Sequence, residues 1–168
     1  MKTEEIIEGK RVLVVDDEKD VLEILVTLLK DCKVDAASSF EEAKKMIEEN
    51  DYDIAVLDIM GVNGYELLRI ANTRKIPAVM LTAHALTSES LKRSAEEGAA
   101  YFAPKDRIED IPHFIADVFE AIQKQKSPWD RMFKRLGGFY DKAFRGPDWR
   151  EKEKEFWEKK IKETFPYF

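Results

Sequence analysis

Two adjacent carboxylates, Asp16 and Asp17, stand at the end of the apolar run "RVLVV", residues 11–15. Like charges repel at close range, so such a pair is costly without a proton or a cation. A third carboxylate, Asp58, closes the run "DIAVL". Thr82 closes "AVMLT", and Lys105 follows "AYFA". Functional groups of an open parallel sheet gather at the C-terminal ends of its strands. If the first and third strands are neighbours, three carboxylates meet one hydroxyl and one ammonium. All-oxygen ligation selects a hard ion, Mg²⁺, held by few protein ligands and several waters. A carboxylate beside Mg²⁺, a hydroxyl and a lysine can accept a phosphoryl group. Metal and ammonium neutralise the non-bridging oxygens, and the attacking carboxylate becomes an acyl phosphate. The hydroxyl can then hydrogen-bond a phosphoryl oxygen and move a loop.

The elements that must position these groups alternate up to about residue 126. Strand-like runs fall at 11–15, 34–37, 53–57, 78–82 and 100–103, mostly apolar throughout, as strands covered on both faces should be. Helical stretches lie between them. Val21, Leu22, Leu25, Leu28 and Leu29 form the apolar stripe of the first. "SFEE" opens the second with a capping box of Ser39 and Glu42, and "GYELLRIANTR" is the third. The fourth starts near Thr87 or Ser88 and stops at Gly98. The fifth runs from about Asp110 to Lys126 and tolerates Pro112 in its first turn. Five such β-α units predict an α/β fold, a doubly wound five-stranded parallel sheet.

The composition changes after residue 126. Residues 127–168 hold 11 of the 18 aromatics and all three tryptophans. Their charge balance is +3, against −9 for the first 126 residues. "SPW" starts a helix, with Ser127 capping and Pro128 at the first position. "LGG" and "RGPD" are expected to break this tail into pieces. A last helix is expected over about 149–162, with Trp149, Phe156, Trp157 and Ile161 on one face. Trp129, Trp149 and Trp157 are expected to bury into the first 126 residues, a second copy of the chain in a homodimer, or a target protein.

Formal charge is −6 and the pI is near 5.2, which argues against a mainly nucleic-acid-binding protein. The single cysteine, Cys32, excludes an internal disulfide. No apolar run approaches the roughly 20 residues of a membrane helix. The N-terminus "MKTEEIIEGK" is polar and acidic, unlike a signal peptide. The expectation is a soluble cytoplasmic protein without nucleic-acid or membrane partners.

The set "VLVVDDE", "AVLDIM", "VMLTA" and "GAAYFAPK" resembles the CheY-like receiver domain of two-component response regulators. Each motif alone is weak; their order and spacing together are specific. The resemblance covers about residues 9–126 and leaves 127–168 as an aromatic-rich helical extension. It implies Asp58 as phosphoacceptor, with Asp16, Asp17, Asp58 and the Met60 backbone carbonyl holding Mg²⁺. It implies Thr82 as switch hydroxyl, Lys105 as phosphate-binding lysine and Phe102 as switch aromatic. Met60 and His84 occupy the positions that flank the attacking water, and their bulk is expected to slow self-hydrolysis. The implied partners are a histidine kinase or phosphotransfer protein as donor and a downstream target protein. The sequence departs from the pattern at three points. "DIMGVNG" is short and lacks a proline, Pro104 precedes the lysine instead of following it, and Phe102 has no hydroxyl.

The favoured function is a phosphorelay response regulator that signals through protein contacts and is not a turnover enzyme. The tail has no helix-turn-helix pattern, zinc spacing or dense basic stripe, so no DNA-binding output domain is expected. The alternative is a receiver-shaped scaffold that is never phosphorylated. An aspartyl phosphatase would carry a second acid at Met60. A dinucleotide-binding protein would carry a glycine-rich turn in place of "DDEKD".

Overall fold

Short runs of valine, leucine, isoleucine and alanine, each closed by a polar residue, become the strands of one sheet. The computed structural model describes residues 2–164; residues 165–168 of the expected extension lie outside the described residues. The strands are β1 (Arg11–Val15), β2 (Lys33–Ala37), β3 (Ile54–Asp58), β4 (Ala78–Thr82) and β5 (Tyr101–Pro104). All pair in parallel in the order β2-β1-β3-β4-β5. Every residue of β3, β4 and β5 is buried, as helices on both faces require.

The helices are α1 (Thr3–Ile7), α2 (Lys19–Leu28), α3 (Phe40–Glu49), α4 (Gly64–Thr73), α5 (Ser88–Glu96) and α6 (Ile111–Gln123). A 3-10 segment, Lys105–Asp110, links β5 to α6. The tail forms α7 (Pro128–Ala143), α8 (Asp148–Glu151) and α9 (Lys154–Lys160). Local chemistry sets several starts. Ser39 Oγ accepts from Glu42 N, while the Glu42 carboxylate accepts from Ser38 N, one residue upstream of the expected capping-box donor. Thr87 Oγ1 accepts from Ser90 N, and Ser127 Oγ accepts from Trp129 N.

One helix was not anticipated, and two expectations are corrected. The acidic N-terminus forms α1, which buries Ile7 and places Thr3 Oγ1 at 2.9 Å from His113 Nδ1. "LGG" does not break the chain: α7 runs through Gly137 and Gly138. A Cβ at Gly137 would stand 3.0 Å from an Arg150 guanidinium nitrogen, so glycine there admits that side chain. The last helix divides at Glu153, whose φ −116°, ψ 33° leave the helical region. In one continuous helix, Trp149 and Trp157 would stand about 12 Å apart along the axis. The break brings their rings to 6.1 Å.

The tail packs on the rim of the sheet beside β5. Trp129 and Tyr140 are fully buried, and Trp149 and Trp157 nearly so. Trp129 Nε1 donates to Ala99 O at 3.0 Å, and Tyr140 Oη donates to Phe102 O at 2.6 Å. Among the described residues no helix is long and apolar enough to cross a membrane.

Candidate functional site

The pairing register sets the site. Val15 aligns with Leu57, Asp58 with Leu81 and Thr82 with Pro104, so Asp16, Asp58, Thr82 and Lys105 emerge at one edge of the sheet. Asp16 and Asp58 are buried, and Lys105 bridges them. Its Nζ lies 2.8 Å from Asp16 Oδ2 and 3.3 Å from Asp58 Oδ1. Asp16 Oδ1 accepts from Glu18 N at 2.9 Å, a turn that launches α2. Asp16 Oδ2 makes no directed hydrogen bond, and the ammonium compensates it by charge alone.

Two buried carboxylates against one ammonium leave the site under-neutralised. Burial pushes the Asp58 pKa up to about 6, helped by the Asp16 charge and opposed by Lys105. Burial by itself would lower the Lys105 pKa; its contacts with Asp16 and Asp58 outweigh that and raise it.

Asp17 is exposed beside the loop after β3. A Cβ at Gly61 would fall 2.6 Å from the Asp17 carboxylate, so only glycine lets the two loops meet. Gly61 also has φ +89°. Gly64 passes close under the phosphoacceptor candidate, since its Cβ would come within 2.1 Å of Asp58 O. Glycines at both positions let the short "DIMGVNG" loop close without the usual proline.

The donor set suits a hard cation. Carboxylate oxygens of Asp16, Asp17 and Glu18 lie within 4.8 Å of one another. Oxygen-only donors and uncompensated negative charge match the preference of Mg²⁺. Glu18 was missed by sequence reasoning, although "DDE" carried the signal; its Oε1 is 3.8 Å from Lys105 Nζ.

Thr82 is buried, and its Oγ1 accepts from Ala85 N at 2.8 Å, so the hydroxyl pins the loop that leads into α5. Met60 is 52% exposed and His84 is also exposed. Phe102, the expected switch aromatic, is fully buried in β5, its ring 5.8 Å from that of Tyr140.

Residues 12–116 match the response regulator receiver domain. The chain belongs to that family. It is 29% identical over 126 residues to the two-component response regulator ARR10 of Arabidopsis thaliana, a match covering 71% of this chain and 23% of that protein. It is 39% identical over 82 residues to the heme response regulator HssR of Staphylococcus aureus, covering 46% of this chain and 37% of that one. The matched region thus spans less than half the length of either relative. A CheY-like receiver domain protein from Methanospirillum hungatei superposes with a TM-score of 0.57 and 27% identity, over 67% of this chain and 98% of that one. A Francisella receiver domain superposes with a TM-score of 0.61 and 24% identity, over 67% and 98%. The protein is therefore a receiver of two-component systems followed by short C-terminal helices.

Proposed function

We propose that this receiver accepts a phosphoryl group on Asp58 in a Mg²⁺-dependent reaction. The observation that carries the reading is the pair of buried carboxylates, Asp16 and Asp58, sharing one ammonium. Asp16, Asp17, Asp58 and the Met60 carbonyl would hold the ion, which supplies positive charge against the phosphoryl oxygens. The Asp58 carboxylate attacks phosphorus in line, the bond to the donor's leaving group breaks, and an acyl phosphate forms. Lys105 swings its ammonium from Asp58 to a phosphoryl oxygen. Thr82 gives up its bond to Ala85 N and donates to another. A histidine kinase or phosphotransfer protein supplies the phosphoryl group, and a protein target reads the result.

Intact-protein mass after incubation with Mg²⁺ and acetyl phosphate tests this. One added phosphoryl group is expected, lost in Asp58→Asn and without Mg²⁺. No adduct from acetyl phosphate or a phosphohistidine donor, with no binding of beryllofluoride, would favour a non-phosphorylated scaffold. Met60 and His84 obstruct the water that hydrolyses the acyl phosphate. The double variant Met60→Asn, His84→Glu should lose the phosphoryl group about tenfold faster, a change of about 1.4 kcal/mol in the barrier. Slower loss in the variant than in the wild type would reject that role.

A further inference from the structure

The tail is held at two places that respond differently to the site. Helix α7 is fixed to the sheet and to α6. Trp129 donates to the Ala99 carbonyl just before β5, Tyr140 donates to the Phe102 carbonyl in β5, and Arg135 grips Asp117 of α6 through two nitrogens at 2.7 and 2.9 Å. Helix α9 bridges from α7 to α5. On the α7 side, Ser127 Oγ donates to Lys160 O at 2.8 Å, and the Trp157 ring lies 5.0 Å from Phe133 and 5.7 Å from Trp129. On the α5 side, Lys92 Nζ pairs with Glu153 at 2.9 Å and stands 5.4 Å from the Phe156 ring centre. The Glu96 charge acts on Lys160 at the other end of α9.

The α5 support leads back along the chain to Thr82. His84 and Ala85 form the turn that leads into α5, and the bond from Ala85 N to Thr82 Oγ1 pins that turn. The C-terminal end of α5 is anchored separately, where Ala99 N donates to Ser94 O just before β5. When Thr82 turns toward a phosphoryl oxygen, the Ala85 bond is lost, and the N-terminal half of α5, with Lys92, can shift about its remaining tie to α4, the bond from Tyr65 Oη to Ser90 O. Segment 148–157 cannot follow that shift while its tryptophans stay stacked on α7.

We propose that the Lys92–Glu153/Phe156 contact is a latch holding α8 and the first turn of α9 against α5, and that phosphorylation of Asp58 opens it while α7 stays docked. The coupling rests on the phosphoacceptor reading; the latch itself does not. A partly exposed ion pair and cation–π contact of this kind is worth only a few-fold in the local opening equilibrium, which suits a device that must open and close.

Amide hydrogen exchange on the full chain tests both parts, with beryllofluoride and Mg²⁺ as the phosphoryl mimic and ¹⁹F NMR reporting the adduct. Without the mimic, Lys92→Ala should speed exchange of amides 149–157 about three- to five-fold and leave 130–143 unchanged. With the mimic, the wild type should show the same increase, and Lys92→Ala should show little more. No change on Lys92→Ala alone would overturn the latch. An adduct that leaves 149–157 unchanged or slower would overturn the coupling and spare the phosphoacceptor reading. Absence of the adduct would overturn that reading and the coupling together, while the Lys92→Ala comparison would still judge the latch.

Discussion

Two buried acid–base clusters in this molecule use the same ingredients and reach opposite balances. Under the tail, Asp117 has a two-pronged guanidinium from Arg135 and the Tyr101 hydroxyl at 2.7 Å. One negative charge meets one positive charge and three donors. At the strand ends, Asp16 and Asp58 divide one ammonium, and Asp16 Oδ2 has no directed hydrogen bond. The first cluster is complete and has nothing left to offer a ligand. The second carries unbalanced negative charge in a buried place, which stores affinity for a cation and for a group that converts a carboxylate into something else.

Breaking the complete cluster should give the largest effect. Arg135→Met leaves Asp117 buried without a counter-ion and should lower unfolding free energy by about 2–3 kcal/mol in urea titration. Adding Asp117→Asn to that variant should recover part of the loss. Relieving the incomplete cluster should act in the opposite sense. Asp58→Asn should stabilise the metal-free protein at pH 7 by about 1–2 kcal/mol, and Mg²⁺ should narrow the gap by stabilising only the wild type. An Asp58→Asn protein no more stable than the wild type would make the two clusters equivalent.

The smallest effect sharpens the comparison by pH. The Asp58 pKa is raised in the fold to about 6, so between the unfolded value and that one the folded state binds the extra proton. Its contribution therefore favours the fold below about pH 4 and is lost as pH rises to about 6. The wild-type minus Asp58→Asn stability difference should fall by about 1–2 kcal/mol across that window without metal, read by urea midpoints at each pH. A difference that rises instead would reverse the assignment.

The incomplete cluster was legible in the sequence because each member sits at the end of an apolar run. Strand ends of a parallel sheet converge by topology alone, so Asp16, Asp58, Thr82 and Lys105 could be placed without any contact being known. The complete cluster was invisible. Asp117 looks like one polar residue among the helical positions of α6, and nothing near it in the chain marks its burial in the fold. Arg135 looks like one cation among many in a basic tail. The continuity of α7 through Gly137 and the break at Glu153 were hidden for the same reason. Each depends on an aromatic cluster assembled from residues far apart in the chain, which local propensity does not encode.

The two outer strands end the sheet differently. On β2, alternating Lys33 and Asp35 and a mostly exposed strand discourage pairing. At the β5 rim, the carbonyls of Ala99, just before the strand, and of Phe102 accept from an indole and a phenol of α7. The tail therefore covers part of that rim, where an incoming strand would have to lie. Cutting the chain after residue 126 would strip both donors from those carbonyls and remove the Tyr140 ring that packs on Phe102. The helices that follow the receiver thus act as a roof over one rim of its sheet, while the other rim is left to its own charges.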